Sequence, residues 1–351
     1  MTLATSPSMR YSPEEVWFPC SLDVLGWDEK FHELMLNDHL RMTAYQSAIQ
    51  CAVRPGAVVL DLGTGTGILA KWALEAGAKR VYGIEVNSRI LEIAQCKLHE
   101  AGFSERFTPV NALSYDVELP EKVDLIVSET IGNFGDNEDC HRILVDARTR
   151  FLKPGGRMVP ERVTTFLVPV SSPKTHEQIE QGKCRAISEI YDLQQLLAKL
   201  EIADPFEVYY DVVLPETGYL SSPKKARLFD FTAGLAEASY RIALRFSVAT
   251  GGLLTGFKGY FVAELTERVQ LDISGSDMTQ RTASDSWKHS YLPIREPIFV
   301  EQGQIIKLTL DRLPQQNQSS PFAFRYKWTA AIENGSGVHA SREKLGAEAH
   351  S

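Results

Sequence analysis

The chain has 351 residues, enough for two domains, and its 44% hydrophobic and 23% charged content is that of a soluble globular protein. Its 45 acidic against 37 basic side chains give a net charge of −8, which argues against a nucleic-acid partner, since phosphate neutralisation needs a basic face. No apolar run reaches membrane-spanning length and residues 1–11 lack the apolar core of a secretory signal, so a cytoplasmic protein without a membrane partner is expected. The five cysteines (Cys20, Cys51, Cys96, Cys140 and Cys184) are scattered, odd in number and without CxxC spacing; neither a disulfide framework nor a metal site is expected.

In chain order, residues 1–19 read as a flexible N-terminus, and 29–51 carry apolar side chains at helical spacing with few breakers. After Pro55-Gly56 strands and helices alternate: strand 57–62, helix 66–76, strand 80–86, helix 88–101, strand 107–111, strand 123–129 and helix 138–152, closed by Pro154-Gly155-Gly156. That alternation predicts a doubly wound, Rossmann-like α/β domain over 20–158. Beyond Pro160 the pattern changes to β-rich runs at 163–170, 226–231, 240–248, 256–265, 267–273 and 304–310, separated by Gly, Pro, Ser and Asp. These predict a β-barrel domain over 159–333 with a helical insertion at about 172–210, in which 187–200 has helical spacing. The tail, 334–351, is small and polar and reads as flexible.

Gly63, Gly65 and Gly67 follow the first strand and open a helix, allowing a tight turn and close approach of backbone to a ligand. Eighteen residues after Gly67, Glu85 ends the second strand, where a carboxylate can accept both hydroxyls of a ribose. A phosphate-cradling Walker loop is excluded because Ile68 follows Gly67 where a lysine is required. A nicotinamide dinucleotide also uses a ribose-binding acid, but its fingerprint is GxGxxG, whereas this chain has GxGxG with Asp61 two residues ahead. The arrangement resembles the first motif of the Rossmann-like S-adenosylmethionine-dependent methyltransferases. That resemblance implies S-adenosylmethionine as cofactor, bound by Asp61, Gly63, Gly65, Gly67 and Glu85, with Asn111 and Ala112 where the class contacts adenine.

Glu129 ends the fourth strand at the carboxyl edge of the sheet, and Glu138 follows nine residues later with Gly132 and Gly135 between them. Converging carboxylates repel unless a cation lies between them, and a guanidinium matches carboxylates through its planar fork of donors. On spacing alone two readings stand: a catalytic pair, or a sheet-edge Glu129 beside a Glu138 that caps the next helix.

These stretches resemble the protein arginine N-methyltransferase family over roughly 28–330. Ser128-Glu129 through Glu138 matches the family's double-glutamate loop, and His32-Glu33-Leu34-Met35-Leu36 with Asp38, Arg41 and Tyr45 is similar to the helix that folds over the cofactor. Gly77 to Glu85 resembles the second-strand motif, and Leu152 to Gly156 with Pro160 the junction to the barrel. The resemblance implies that Glu129 and Glu138 are catalytic, that Arg41 pairs with the cofactor's carboxylate, that Trp287 shapes the substrate pocket, and that the chain forms homodimers. It implies a guanidino nitrogen of arginine as methyl acceptor, in a protein or peptide or as free arginine or another guanidino metabolite. A different amine or hydroxyl acceptor, or an inactive scaffold member, are the alternatives. The chain departs from the family twice: 22–26 lacks the N-terminal tyrosine motif, and Asp285-Ser286-Trp287 keeps the tryptophan of a Thr-His-Trp loop but not its histidine. His289, two residues beyond that tryptophan, is expected at the surface.

Overall fold

The computed structural model describes residues 12–19, 21, 29–185, 197–198, 202–277, 282–314 and 324–333. The tyrosine-poor segment 22–26, almost all of the expected helix 187–200 and the tail 334–351 lie outside the described residues. Among the described residues no helix is long and apolar enough to cross a membrane.

The stretch 29–51 forms two helices rather than one: α1 (Glu29–Asn37) and α2 (His39–Ala52). The break is Asp38, which leaves helical geometry and caps α2 by accepting the Arg41 N–H. Then follow β1 (Val58–Leu62), α3 (Ile68–Glu75), β2 (Arg80–Glu85), α4 (Ser88–Glu100), β3 (Phe107–Asn111), β4 (Val123–Ser128), α5 (Cys140–Phe151) and β5 (Leu152–Val159). The five strands form one parallel sheet in the order β3-β2-β1-β4-β5. All five residues of β1 are buried, as a central strand covered on both faces requires. The chain leaves β1 toward β2 and β3, then returns to β4 on the other side, so a crevice opens beyond the carboxyl ends of β1 and β4.

The second unit is antiparallel: β6 (Arg162–Val170), α6 (Pro173–Glu180), β7 (Tyr210–Val212), β8 (Lys224–Asp230), β9 (Tyr240–Ser247), β10 (Gly252–Thr266), β11 (Val269–Asp272), β12 (His289–Val300), β13 (Ile305–Pro314) and β14 (Phe324–Glu333). One sheet runs β7-β12-β10-β6-β8 with β11 on β10, the other β14-β13-β9. Their inner faces meet, for instance at Phe246 of β9 and Phe257 of β10, 6.2 Å between ring centres. A single apolar core runs from Val59 and Ile126 of the parallel sheet into Phe257 and Leu308 of the barrel, so the two units share one interior.

Residues 12–19, expected to be flexible, are docked on the barrel. Val16 and Trp17 are buried, and the Trp17 backbone pairs with Asp211 in both directions at 2.9 Å. The run Ser12-Pro13-Glu14-Glu15 ahead of it hid the short apolar patch Val16-Trp17-Phe18, which closes a satellite core with Val213 and Leu34 of α1 and another with Tyr210.

Candidate functional site

One cavity occupies the crevice. It is lined by Gly63, Thr64 and Gly65 after β1, Glu85 at the end of β2, Ala112 after β3, Glu129 and Glu138 after β4, and His32, Met35 and Arg41 from α1 and α2. Residues far apart in sequence meet because every strand of the parallel sheet delivers its C-terminal end to the same edge.

The glycine turn is built for a close ligand. Gly63 and Gly65 have φ of 72° and 53°, in the left-handed region, and a side-chain carbon at Gly65 would press on the His32 imidazole at 3.4 Å. Glu85 faces the cavity with one oxygen accepting the Gly65 N–H and the other the Asn87 N–H, both at 3.0 Å. Burial raises its pKa, offset in part by these backbone donors. Each oxygen keeps lone-pair capacity for a hydroxyl, so a ribose diol fits this carboxylate. The cradle therefore suits the adenosyl end of S-adenosylmethionine. Glu85→Ala is expected to weaken S-adenosylhomocysteine binding by about tenfold or more, the loss of roughly one to two charge-assisted hydrogen bonds; unchanged affinity by calorimetry would remove the ribose assignment.

Three of the expected cofactor contacts are not among the residues that line the cavity. Asp61 is fully buried and accepts the Thr64 hydroxyl at 2.6 Å and the Ala70 N–H at 2.9 Å, so it holds the glycine turn against α3. Burial lifts its pKa to about 7. Gly67 permits packing, since a side-chain carbon there would lie 3.0 Å from Ala94 Cβ of α4. Asn111 donates to the Glu85 and Val86 carbonyls at 2.9 Å and fixes the end of β2, leaving Ala112 as the wall residue.

The loop after β4 is folded back on itself. Gly135 N–H donates to Gly132 O at 2.7 Å, and Asn137 lies across the turn, accepting the Phe134 N–H at 2.8 Å and donating to Asn133 at 2.8 Å. This returns Glu138 to the cavity that Glu129 already faces. Glu138 does not cap the following helix: Asp139, at φ 62°, holds the N-cap position of α5. Glu129 accepts the Ile131 N–H at 3.1 Å through one oxygen and forms an ion pair with Arg41 through the other. Burial raises the Glu138 carboxyl to about 8, against the opposing pull of Arg41 and with Asp211 adding to the rise.

Arg41 thus lines the cavity, as expected, but its guanidinium engages Glu129 and lies over the Trp287 ring at 5.1 Å. Burial lowers its pKa to about 10 although Tyr45, Asp38 and Glu138 raise it. Trp287, expected in the substrate pocket, supports the loop from behind. Its indole donates to Ile131 O at 2.8 Å and its ring meets Phe261 edge-on at 5.1 Å. Ser286, where the family has histidine, ties its loop to the helix junction: its N–H and hydroxyl reach Asp38 at 2.9 and 2.7 Å, beside Ser284 on the same carboxylate oxygen. His289 is buried, not a surface residue; its Nδ1 accepts the Leu214 N–H and its Nε2 faces the Ile273 and Gly275 carbonyls.

Two supports for the loop had no signal in the expected motifs. Asp211 accepts the Asn133 amide at 2.6 Å, and the Tyr209 hydroxyl accepts from Asn137 at 3.2 Å while bonded to Ser21. Tyr209 leads into β7 and Asp211 lies within it, where it pairs with the docked Trp17.

A family model described as the PRMT5 oligomerisation domain matches residues 162–337. A methyltransferase domain model matches residues 59–156. Over 288 residues the chain is 29% identical to protein arginine N-methyltransferase 1 of Dictyostelium discoideum, covering 81% of each. It shares its fold with Arabidopsis thaliana protein arginine methyltransferase 10 at a TM-score of 0.73 and 23% identity, covering 90% of this chain and 96% of that one. A second solved neighbour, the Trypanosoma brucei PRMT1 enzyme-prozyme heterotetrameric complex with AdoHcy, matches at a TM-score of 0.70 and 21% identity, covering 90% of this chain and 96% of that one.

Proposed function

The chain belongs to the protein arginine N-methyltransferase family, and on that premise we propose that it transfers the methyl group of S-adenosylmethionine to a guanidino nitrogen of arginine in a protein. The observation that carries the reading is the convergence of Glu129 and Glu138 on one cavity with Gly63, Gly65 and Glu85. A polar cradle for a nucleoside and a carboxylate pair for a cation then face the same space.

When bound, the cofactor supplies an electrophilic methyl on a sulfonium centre. The protein's own task lies with the acceptor, because a guanidinium is a poor nucleophile whose lone pairs are delocalised. Glu129 and Glu138 hydrogen-bond its nitrogens, draw positive charge toward those that do not react and leave the target nitrogen more nucleophilic. They also fix that nitrogen in line, which can account for several kcal/mol of the barrier. The proton is lost with or after methyl transfer, and Glu138, whose buried carboxyl is raised to about 8, is able to take it in its ionised form, which prevails above that pH.

That carboxyl sets a pH dependence. Below its pKa Glu138 is neutral and loses its charge attraction for the cation, so kcat/KM should fall as pH drops through about 8 and level off above it. A pH profile of kcat/KM, which reports the free enzyme, tests this; a flat profile across the neutral to alkaline range defeats the role given to Glu138.

The acceptor is tested by incubating the chain with labelled S-adenosylmethionine and a panel of arginine-rich protein, arginine peptide, free arginine and non-guanidino amines, read by mass spectrometry. Methylated arginine in the protein is expected; transfer confined to free arginine or to an amine overturns it. The family model described as an oligomerisation domain, spanning 162–337, supports a homodimer as the working form.

A further inference from the structure

We propose that Arg312 is a positioning residue for the reaction: a guanidinium supplied by the barrel grips the residues on both sides of Asn137-Glu138 and sets where the second glutamate stands. The inference rests on the guanidine-methylation reading of Glu138.

Arg312 lies on β13 with 1% of its side chain exposed, in phase with the buried Ile306, Leu308 and Leu310 on the inward face of that strand. A charge on the inward phase of a strand is expensive unless each donor is matched. Two of the three nitrogens of this fork donate hydrogen bonds, and the third has an ionic neighbour without a hydrogen bond. Nη2 donates to Asp139 Oδ1 at 2.6 Å, Nη1 to Ala238 O at 2.5 Å, and Nε faces Asp136 Oδ2 at 3.5 Å. The Phe324 ring packs on the guanidinium with 3.8 Å from Cζ to the ring centre, so the group cannot tilt away.

The two carboxylates it holds are not ordinary loop residues. Asp136 is 1% exposed and its Oδ1 accepts the His141 N–H at 3.1 Å, while Asp139 is 1% exposed, sits at φ 62° and bonds Arg142 at 3.1 Å. A non-glycine residue in the left-handed region is uncommon, although Asp is among the better tolerated there. Here one of the contacts that hold it is a cation from the other domain, 173 residues along the chain, beside Arg142 of its own helix. Between the two anchors lie Asn137 and Glu138. Their backbone is thereby suspended from the barrel on one side, as Asn137 is from Tyr209 on the other. A lysine could hold one of the two anchors as a point charge but cannot present the fork that spans them.

The experiment uses the full chain and compares Arg312→Lys and Asp139→Asn with the parent protein. Thermal unfolding, S-adenosylhomocysteine affinity by calorimetry, and kcat and KM on an arginine peptide are measured for each. For Arg312→Lys, kcat is expected to fall about tenfold to a hundredfold while KM and cofactor affinity stay within about threefold, the pattern of a misplaced catalytic group. Asp139→Asn keeps the acceptor oxygen but removes half of the ionic grip, and should lower kcat in the same direction with Arg312 intact. The proposal falls if folded Arg312→Lys turns over like the parent. It also falls if cofactor affinity drops in step with kcat, which marks a general structural role. Should Arg312→Lys not fold, Asp139→Asn decides alone: parent-like kcat overturns the proposal. A parent protein that methylates no arginine peptide would instead overturn the functional reading itself, and this proposal with it.

Discussion

Glu129→Gln and Glu138→Gln are each expected to lower turnover by about 10²- to 10³-fold, the scale seen when one preorganised electrostatic contact is removed from an active site. Glutamine keeps the length and one acceptor oxygen, so the Ile131 N–H that Glu129 accepts at 3.1 Å can still be satisfied. What disappears is the negative charge that would polarise a guanidinium. Cofactor affinity should stay near that of the parent, because the nucleoside end of the cavity is formed by Gly63, Gly65 and Glu85 on other strand ends. Single-turnover rates with a saturating arginine peptide, beside calorimetry with S-adenosylhomocysteine, separate the two effects. Full activity in either variant removes the guanidinium model. Loss of cofactor binding in both would make the pair part of the cofactor pocket rather than of the acceptor site.

The parallel sheet was legible because its signals are local: apolar strands, glycine punctuation and helical periods follow one another in chain order. Where local signals mislead, the structure departs. β5 carries Pro154-Gly155-Gly156 and β12 carries Arg295, Glu296 and Pro297, which read as breaks; the pairing register does shift at both places, and each strand continues because the flanking residues pair, Leu152 and Arg157 with β4 and Pro293 and Ile298 with β10. α1 and α2 read as one helix because the break between them uses neither Pro nor Gly but the capping side chain of Asp38. The glutamate pair was visible as a spacing, and so were the glycine turn and Glu85. The residues that hold them were not, since their partners are distant: Asp38 meets Ser286, Trp287 meets Ile131, and Arg312 meets Asp139 only after folding. A signal for Arg312 did exist in the period-two burial phase of 306, 308, 310 and 312, but a strand taken to end at 310 stops short of it. His289 gave no such signal, because its two nitrogens face backbone groups from two other segments.

Gly132→Ala is expected to lower kcat by about a hundredfold, with cofactor affinity retained, although the residue touches neither ligand. Gly132 has no side chain because the Asn137 carboxamide occupies that space. A methyl at Gly132 would overlap Asn137 Oδ1 and come within 2.5 Å of its Cγ. Asn137 cannot yield freely. Its Oδ1 accepts the Phe134 N–H at 2.8 Å, and its amide nitrogen shares its two hydrogens among Ser21, Asn133 and Tyr209 at 2.7, 2.8 and 3.2 Å. The overlap must therefore be relieved by moving the backbone between 132 and 137, and Glu138 is the next residue. Misplacement of a reacting group by about 1 Å is enough to cost ~10²-fold in rate. The cofactor cradle lies on β1 and β2 and is not suspended from this turn, so its affinity is the internal control. Steady-state kinetics with an arginine peptide and calorimetry with S-adenosylhomocysteine read the two quantities side by side. A variant that keeps parent kcat shows that the loop tolerates the shift, and then the glutamate's placement is set from the barrel side alone.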